Sequence, residues 1–233
     1  MAEPRHITEQ EYVHERLGER FEHALSNYDT QRRVETLIDE FLPDELVRGK
    51  TVLDVGCGLG FFSQRLKDRG ALVTACDIGP GLVEKTRIRV GCEAQVADAL
   101  RLTEQFGVNR FDLVVSSECI EHTPDPNEAL RQMAGVLKPG GYLSVSTPNV
   151  VWWPVVRLAT ILRLRPFDGH ERFSTYGGIR KVLASAGVDV DRKKGLHAFP
   201  FQFGMHGLSR WCDGAFQFAR PLMINVCVRG RKK

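Results

Sequence analysis

No stretch of this chain approaches the ~18 consecutive apolar residues that a membrane span demands. The opening "MAEPRHITEQEYVHER" also lacks the apolar core of a secretion signal, so the sequence predicts a cytoplasmic protein. Paired cysteines are missing as well. Cys57, Cys76, Cys92, Cys119, Cys212 and Cys227 form no CxxC and no zinc-type spacing, which argues against disulfides and structural zinc and suits a reducing compartment. Neither charge is in excess: Lys and Arg number 32 against 29 Asp and Glu, a net +3 spread along the chain apart from the terminal "RGRKK". Without a basic stripe interleaved with aromatics, no nucleic-acid partner is expected. Repeats, low-complexity tracts and flexible linkers are absent too, and 233 residues with 42% hydrophobic content suffice for one sizeable core. The expectation is a single domain over 1–233.

What the chain does have is alternation. Sparse apolar points over 8–25, then Val34, Leu37, Ile38 and Leu42 at helical spacing, predict two helices within an N-terminal layer over 1–49. From "TVLDVG" onward, strand-like and helix-like segments take turns: "LVTACD", "EAQVAD", "FDLVVSS" and "GYLSVST" read as strands, with "FFSQRLKDRG", "PGLVEKTRIRV" and "PNEALRQMAGVL" among the helices. Later, "YGGIRKVLASAG" reads as a helix, and "VDVDRKK" and "LMINVCVRG" as strands. Apolar strands separated by helices imply an α/β fold with a doubly wound, mostly parallel, seven-stranded sheet. The last strand, following a long excursion, is expected to pair antiparallel at the end of that sheet.

The sharpest signal is "VLDVGCGLGFF", a strand running through Asp54 into Gly56, Cys57, Gly58 and Gly60 before a helix opens. Two ligand classes use such a turn, dinucleotides and S-adenosylmethionine. The dinucleotide pattern GxGxxG needs a third glycine where Phe61 stands here, which disfavours a nicotinamide dehydrogenase. The GxGxG order with Asp54 beside it suits a ligand carrying an ammonium and a sulfonium. Asp77, followed by Ile78 at the end of the second strand, can accept from ribose hydroxyls, and Asp98, followed by Ala99 after the third, can accept from the adenine amino group. Either acid can also be a helix cap or turn residue, Asp98 more readily than Asp77.

After the fourth strand, "SSECIEH" sets Ser117, Glu118, Glu121 and His122 at the carboxyl edge of the sheet. Methyl transfer needs an aligned acceptor, exclusion of water and, for a hydroxyl, removal of a proton; His122 can take that proton near neutral pH. A capping histidine is the alternative. His170 in "DGHERF" is a second candidate base or acceptor contact, with a structural role equally open. Asn149 is a candidate for the acceptor pocket. The helix "LSRWCDGAFQFAR" sets Leu208, Trp211, Ala215 and Phe218 on one stripe, which is expected to face the core.

The blocks "VLDVGCGLG", "CDIG", "ADAL", "FDLVVSSECIEHTPDP" and "LKPGGYLSVSTPN" resemble the successive motifs of the class I S-adenosylmethionine-dependent methyltransferases, most similarly the ubiquinone-biosynthesis O-methyltransferases. That resemblance implies the Rossmann-like methyltransferase fold with a lid insertion after the fifth strand, over 150–175. It implies contact of Arg33 with the cofactor carboxylate and of Ser117 with the methionine portion. It implies an O-methylated apolar or aromatic small molecule, with N- or C-methylation or a non-catalytic binding module as alternatives. Glu118, Glu121 and His122 resemble the cluster of those enzymes of the group that use magnesium, making Mg2+ a candidate second cofactor. The insertion "VVWWPVVRLATILRLRPF" is rich enough in Trp, Arg and aliphatics for peripheral membrane contact through 151–167, although Arg157, Arg163 and Arg165 do not gather on one helical face. Nothing in the sequence speaks to oligomeric state.

Overall fold

A computed structural model describes residues 27–161, 171–198 and 205–233. The first helix expected over 8–25, and His170, Arg163 and Arg165, lie outside the described residues. The seven strands are β1 (Thr51–Val55), β2 (Leu72–Asp77), β3 (Glu93–Val96), β4 (Phe111–Ser117), β5 (Leu137–Pro148), β6 (Val188–Leu196) and β7 (Asn225–Lys232), ordered β3-β2-β1-β4-β5-β7-β6 in one sheet. Strands β1 to β5 pair in parallel; β7 is antiparallel to both β5 and β6. The last strand therefore has the expected direction but not the expected place: it fills the slot between β5 and β6, and β6 forms the edge. Its sequence explains this, because Val226, Cys227 and Val228 are all buried, as an inner strand requires, whereas β6 alternates with exposed Asp189 and Asp191.

Burial on both faces accounts for the strand sequences. In β1, Val52 faces a cluster with Leu37, Ile38, Leu66 and Val73, while Leu53 and Val55 face another with Leu130, Met133 and Val145. Helix α1 (Asn27–Val34) continues as a π-helical turn over Glu35–Glu40, which turns Thr36, Leu37 and Ile38 inward together. Ser144 on β5 donates to the Leu37 carbonyl at 2.9 Å, fastening that turn to the sheet. A short α2 (Asp44–Val47) leads into β1. On the other face, α6 (Pro126–Val136) starts at Asp125, whose side chain accepts from the Asn127 and Glu128 amides, and buries Ala129, Leu130, Met133 and Ala134. Truncating Leu130 to Ala would cost roughly 2–5 kcal/mol.

Helix α3 (Phe61–Asp68) follows β1, α4 (Pro80–Val90) follows β2 and α5 (Leu102–Phe106) precedes β4. Strand order turns outward in opposite directions from β1 and β4, so the crevice at their carboxyl ends is where an open α/β sheet takes its ligand. After β5 a short 3-10 turn (Val150–Trp152) leads into α7 (Trp153–Ile161), and α8 (Tyr176–Ser185) packs back on the sheet. None of the described helices is long and apolar enough to cross a membrane.

Helix α9 (His206–Ala215) corrects the expected apolar stripe. Leu208, Trp211 and Phe218 are 43%, 63% and 80% exposed, and the side turned inward carries Ser209 and Asp213. The cause is a buried cation on α1: Arg32 Nη2 lies 3.3 Å from Asp213 Oδ2, and the other Asp213 oxygen accepts from the Ala198 amide. Satisfying that arginine outweighs burying the aromatics. The α-helix also ends at Ala215, and Gln217–Leu222 continues as 3-10 turns.

Candidate functional site

The glycine turn after β1 is held from below by two amides, Gly56 and Cys57, which both donate to the Cys76 carbonyl at the end of β2. Its glycines do different jobs. A Cβ on Gly56 would lie 2.5 Å from Cys119 Sγ, and one on Gly60 would lie 2.9 Å from Val90 on α4, so both are demanded by protein neighbours. A Cβ on Gly58 would meet nothing within 4 Å, and its φ of +51° turns the backbone into an open cleft of about 240 Å³. A bare backbone lining open space is what close approach of a ligand requires.

Asp77 and Asp98 line this cleft with Cys57, Ile78 and Ala99. Asp77 Oδ2 accepts from the Gly58 amide at 3.0 Å and Oδ1 from Gly79 at 3.0 Å, leaving a lone pair on each oxygen for hydroxyls. Asp98 Oδ1 accepts from the Leu100 amide, so it is a turn aspartate and a lining residue at once. Asp54 is different. It lies beneath the loop, outside the cleft lining, and accepts from Ser63 Oγ at 2.6 Å. Burial pushes its carboxyl up to about 7 despite that hydrogen bond, and the charge of Asp77 adds to the shift. Its place is the joint between β1 and α3, not the ligand.

The opposite wall comes from α1 and the end of β4. Arg33 is buried; its Nη1 donates to Ser117 Oγ at 2.7 Å and its Nη2 to Asp29 Oδ2 at 2.8 Å. Ser117 in turn lies 3.0 Å from Ser146 Oγ, which donates to Glu118 Oε1, while Asn225 on β7 donates to Glu118 Oε2. A polar chain thus runs from α1 through two serines to the far strand. At the cleft's mouth, a 3-10 turn (Ile120–His122) brings His122 into the lining, with Nε2 4.0 Å from the buried Glu121. Arg33, Thr30, Ser117 and His122 therefore share one cleft with the glycine turn.

Residues 53–145 match the methyltransferase-domain family. The ubiquinone biosynthesis O-methyltransferase of Coxiella burnetii is 30% identical over 169 residues, spanning 67% of this chain and 70% of its own length. The chain belongs to the class I S-adenosylmethionine-dependent methyltransferases. Its fold is similar to that of a Thermotoga maritima S-adenosylmethionine-dependent methyltransferase, with a TM-score of 0.69 at 18% identity over 96% of this chain and all of the other. It is also similar to magnesium protoporphyrin IX methyltransferase of Synechocystis, solved with S-adenosylhomocysteine bound, at TM-score 0.64 and 19% identity over 88% of this chain and 84% of that one. The open backbone at Gly58 and the acids at the ends of β2 and β3 fit the cofactor of this methyltransferase.

Magnesium does not fit. Each Glu118 oxygen already accepts a hydrogen bond, from Ser146 and from Asn225, and Glu121 accepts from Thr147 at 3.0 Å in a buried position, 1% exposed. Burial, reinforced by the charge of Glu118, pushes the Glu121 carboxyl well above the usual range, and magnesium asks for ionised, partly hydrated carboxylates. Among the described residues no three His, Cys, Asp or Glu side chains are arranged around an ion.

Asn149 also departs from expectation: its amide donates to the Pro221 and Met223 carbonyls and its oxygen accepts from Val151, clamping β5 to the chain before β7. Sequence reasoning about the methyltransferase missed Asp29, Thr30 and His197. His197 follows β6, is fully buried and lies 2.8 Å from Asp29 Oδ1. Its sequence signal is "GLHAFPF", a segment that resembles the later part of the family's sequences but lies outside the blocks between Val52 and Asn149.

Proposed function

We propose that this methyltransferase acts on a hydroxyl group of an apolar, aromatic small molecule, with His122 taking the hydroxyl proton. The observation that carries this reading is the presence of His122 in the same cleft as Gly58, Asp77 and Arg33, which gives one cavity both a cofactor wall and a base. S-adenosylmethionine, when bound, supplies an electrophilic methyl group on sulfur. The chain's own residues divide the remaining work. Asp77 receives the ribose hydroxyls; Asp98 receives the adenine amino group, with Ile78 and Ala99 against the ring. Cys57 and Gly58 admit the amino-acid tail, and Arg33 with Ser117 holds its carboxylate. His122 then needs only to accept one proton as the acceptor oxygen attacks, the usual task of a positioned imidazole.

Two further facts favour an apolar hydroxyl acceptor. Val150, Val151, Trp153, Val155 and Leu158 are exposed just beyond the carboxyl end of β5, the edge of the sheet at which the cleft opens. The curated relative of Coxiella burnetii carries the name of an O-methyltransferase of ubiquinone biosynthesis. The deciding experiment is release of S-adenosylhomocysteine across a panel of catechols, phenols, sugars and amines. Turnover confined to catechols and phenols supports the reading; turnover confined to amines overturns it.

A further inference from the structure

We propose that Asp29 and His197 are positioning residues for the amino-acid tail of the cofactor: together they fix the Arg33 guanidinium in the cleft. This rests on the reading above that Arg33 meets the tail's carboxylate. An arginine side chain has a planar fork and several flexible torsions, so its value to a carboxylate depends on what holds it still. Here Nη2 is tied to Asp29 and, at 3.4 Å, to Thr30 Oγ1, which leaves Nη1 directed at Ser117 on the cleft wall.

An Asp–Arg pair one turn apart on a helix is a weak restraint by itself. What changes its character is His197. This side chain arrives from the far end of β6, fully buried, and its Nε2 lies 2.8 Å from the second Asp29 oxygen. Its backbone is held at φ +61°, a left-handed conformation that a non-glycine residue keeps only where its surroundings insist. Burial works against an ionised Asp29, yet Arg33 and His197 together keep its carboxyl down at about 2.

Docking of α1 does not account for this arrangement. Three other contacts already join α1 and its π-helical turn to α9: Arg32 to Asp213, Arg210 to Glu35, and Tyr28 stacked on His206 with ring centroids 4.1 Å apart. Buried polar pairs are also poor stabilisers compared with apolar packing, so a fourth one makes sense as a device for orientation. An Asp29 bonded to Arg33 alone would also concentrate its negative charge where the cofactor carboxylate is to sit. A hydrogen bond from His197 draws part of that charge to the far side.

The test compares two ligands, S-adenosylhomocysteine and 5′-methylthioadenosine, the second lacking the amino-acid tail. Calorimetry is run on the wild type, Arg33→Gln, His197→Ala, His197→Asn and His197→Gln. Asparagine tolerates the left-handed backbone but ends short of Asp29, whereas glutamine can reach it. The expected result is a loss of S-adenosylhomocysteine affinity of roughly ten- to a hundredfold in Arg33→Gln and about tenfold in His197→Asn and His197→Ala. Methylthioadenosine should bind all variants as it binds the wild type, and His197→Gln should regain most of the loss. Equal losses for both ligands, or no loss in His197→Asn, overturn the positioning role. If Arg33→Gln itself shows no preference between the ligands, the Arg33 reading falls; if only the His197 variants lack it, that reading stands and this one falls.

Discussion

The Gly58 amide donates to Asp77 Oδ2 at 3.0 Å, so the carboxylate at the end of β2 also shapes the turn after β1. On the proposed reading, replacing Asp77 removes an acceptor for the cofactor ribose as well as the hydrogen bond that holds the Gly58 turn. Asp77→Ala should weaken S-adenosylhomocysteine binding by about 1.5–3 kcal/mol, with Asp77→Asn falling between mutant and wild type. Calorimetry that finds Asp77→Ala as tight as the wild type removes Asp77 from the site.

The glycine turn should divide under substitution. Gly56→Ala drives a Cβ to within 2.5 Å of Cys119 Sγ, and Gly60→Ala to 2.9 Å from Val90, so both should destabilise the fold by roughly 2 kcal/mol or more. Gly58→Ala has open space before it and bears only the left-handed strain, about 1–2 kcal/mol, so its larger effect should be on cofactor affinity. Denaturant melts alongside binding isotherms would expose a uniform response if the three positions are equivalent.

Asp54 predicts a particular dependence of stability on pH. Its carboxyl stands at about 7 in the folded chain against an ordinary 3.8, so between those values the folded state holds a proton that the unfolded state has released. The contribution of this group is complete below 3.8, declines as pH rises, and is lost by about 7. Asp54→Asn keeps an acceptor for Ser63 without ionising. The difference in unfolding free energy between mutant and wild type should therefore move in favour of the mutant across that window, and a difference independent of pH would mean Asp54 is ionised throughout.

His122→Ala should slow turnover by roughly 10²–10⁴-fold while leaving S-adenosylhomocysteine affinity unchanged, because the residues assigned to the cofactor lie elsewhere in the cleft. Acceptors with more acidic hydroxyls should lose less, since they need less help to ionise. Near-normal kcat in His122→Ala with reduced stability would make this a capping histidine and move the search for the base to other groups at the mouth.

Much of this was legible because the chemistry was local. The runs around Val52–Val55 and Leu113–Val115 announced strands buried on both faces, and the bare turn beside Asp77 announced where the sheet opens. What escaped was set by contacts between distant residues. Nothing near Glu118 in sequence reveals that Asn225 and Ser146 will bond its two oxygens and tie it to the neighbouring strands. The α9 stripe was periodic as expected, but periodicity says only that two faces differ; the buried Arg32 decided which one turned inward. Asp54 followed the same logic at short range, since its partner Ser63 is a buried residue of the very next helix.

The place of β7 bears on how the molecule is made. Among the described residues Asn225–Lys232 is the only sheet partner that β6 has, and it is synthesised after β6. While a ribosome extends the chain, β5 presents an open edge and β6 waits without a ladder, an interval in which strand edges are prone to the wrong partner. Asn225 on that same strand also completes the hold on Glu118. Glu118, a residue of the cleft wall, thus gains its second partner in the same event that closes the sheet.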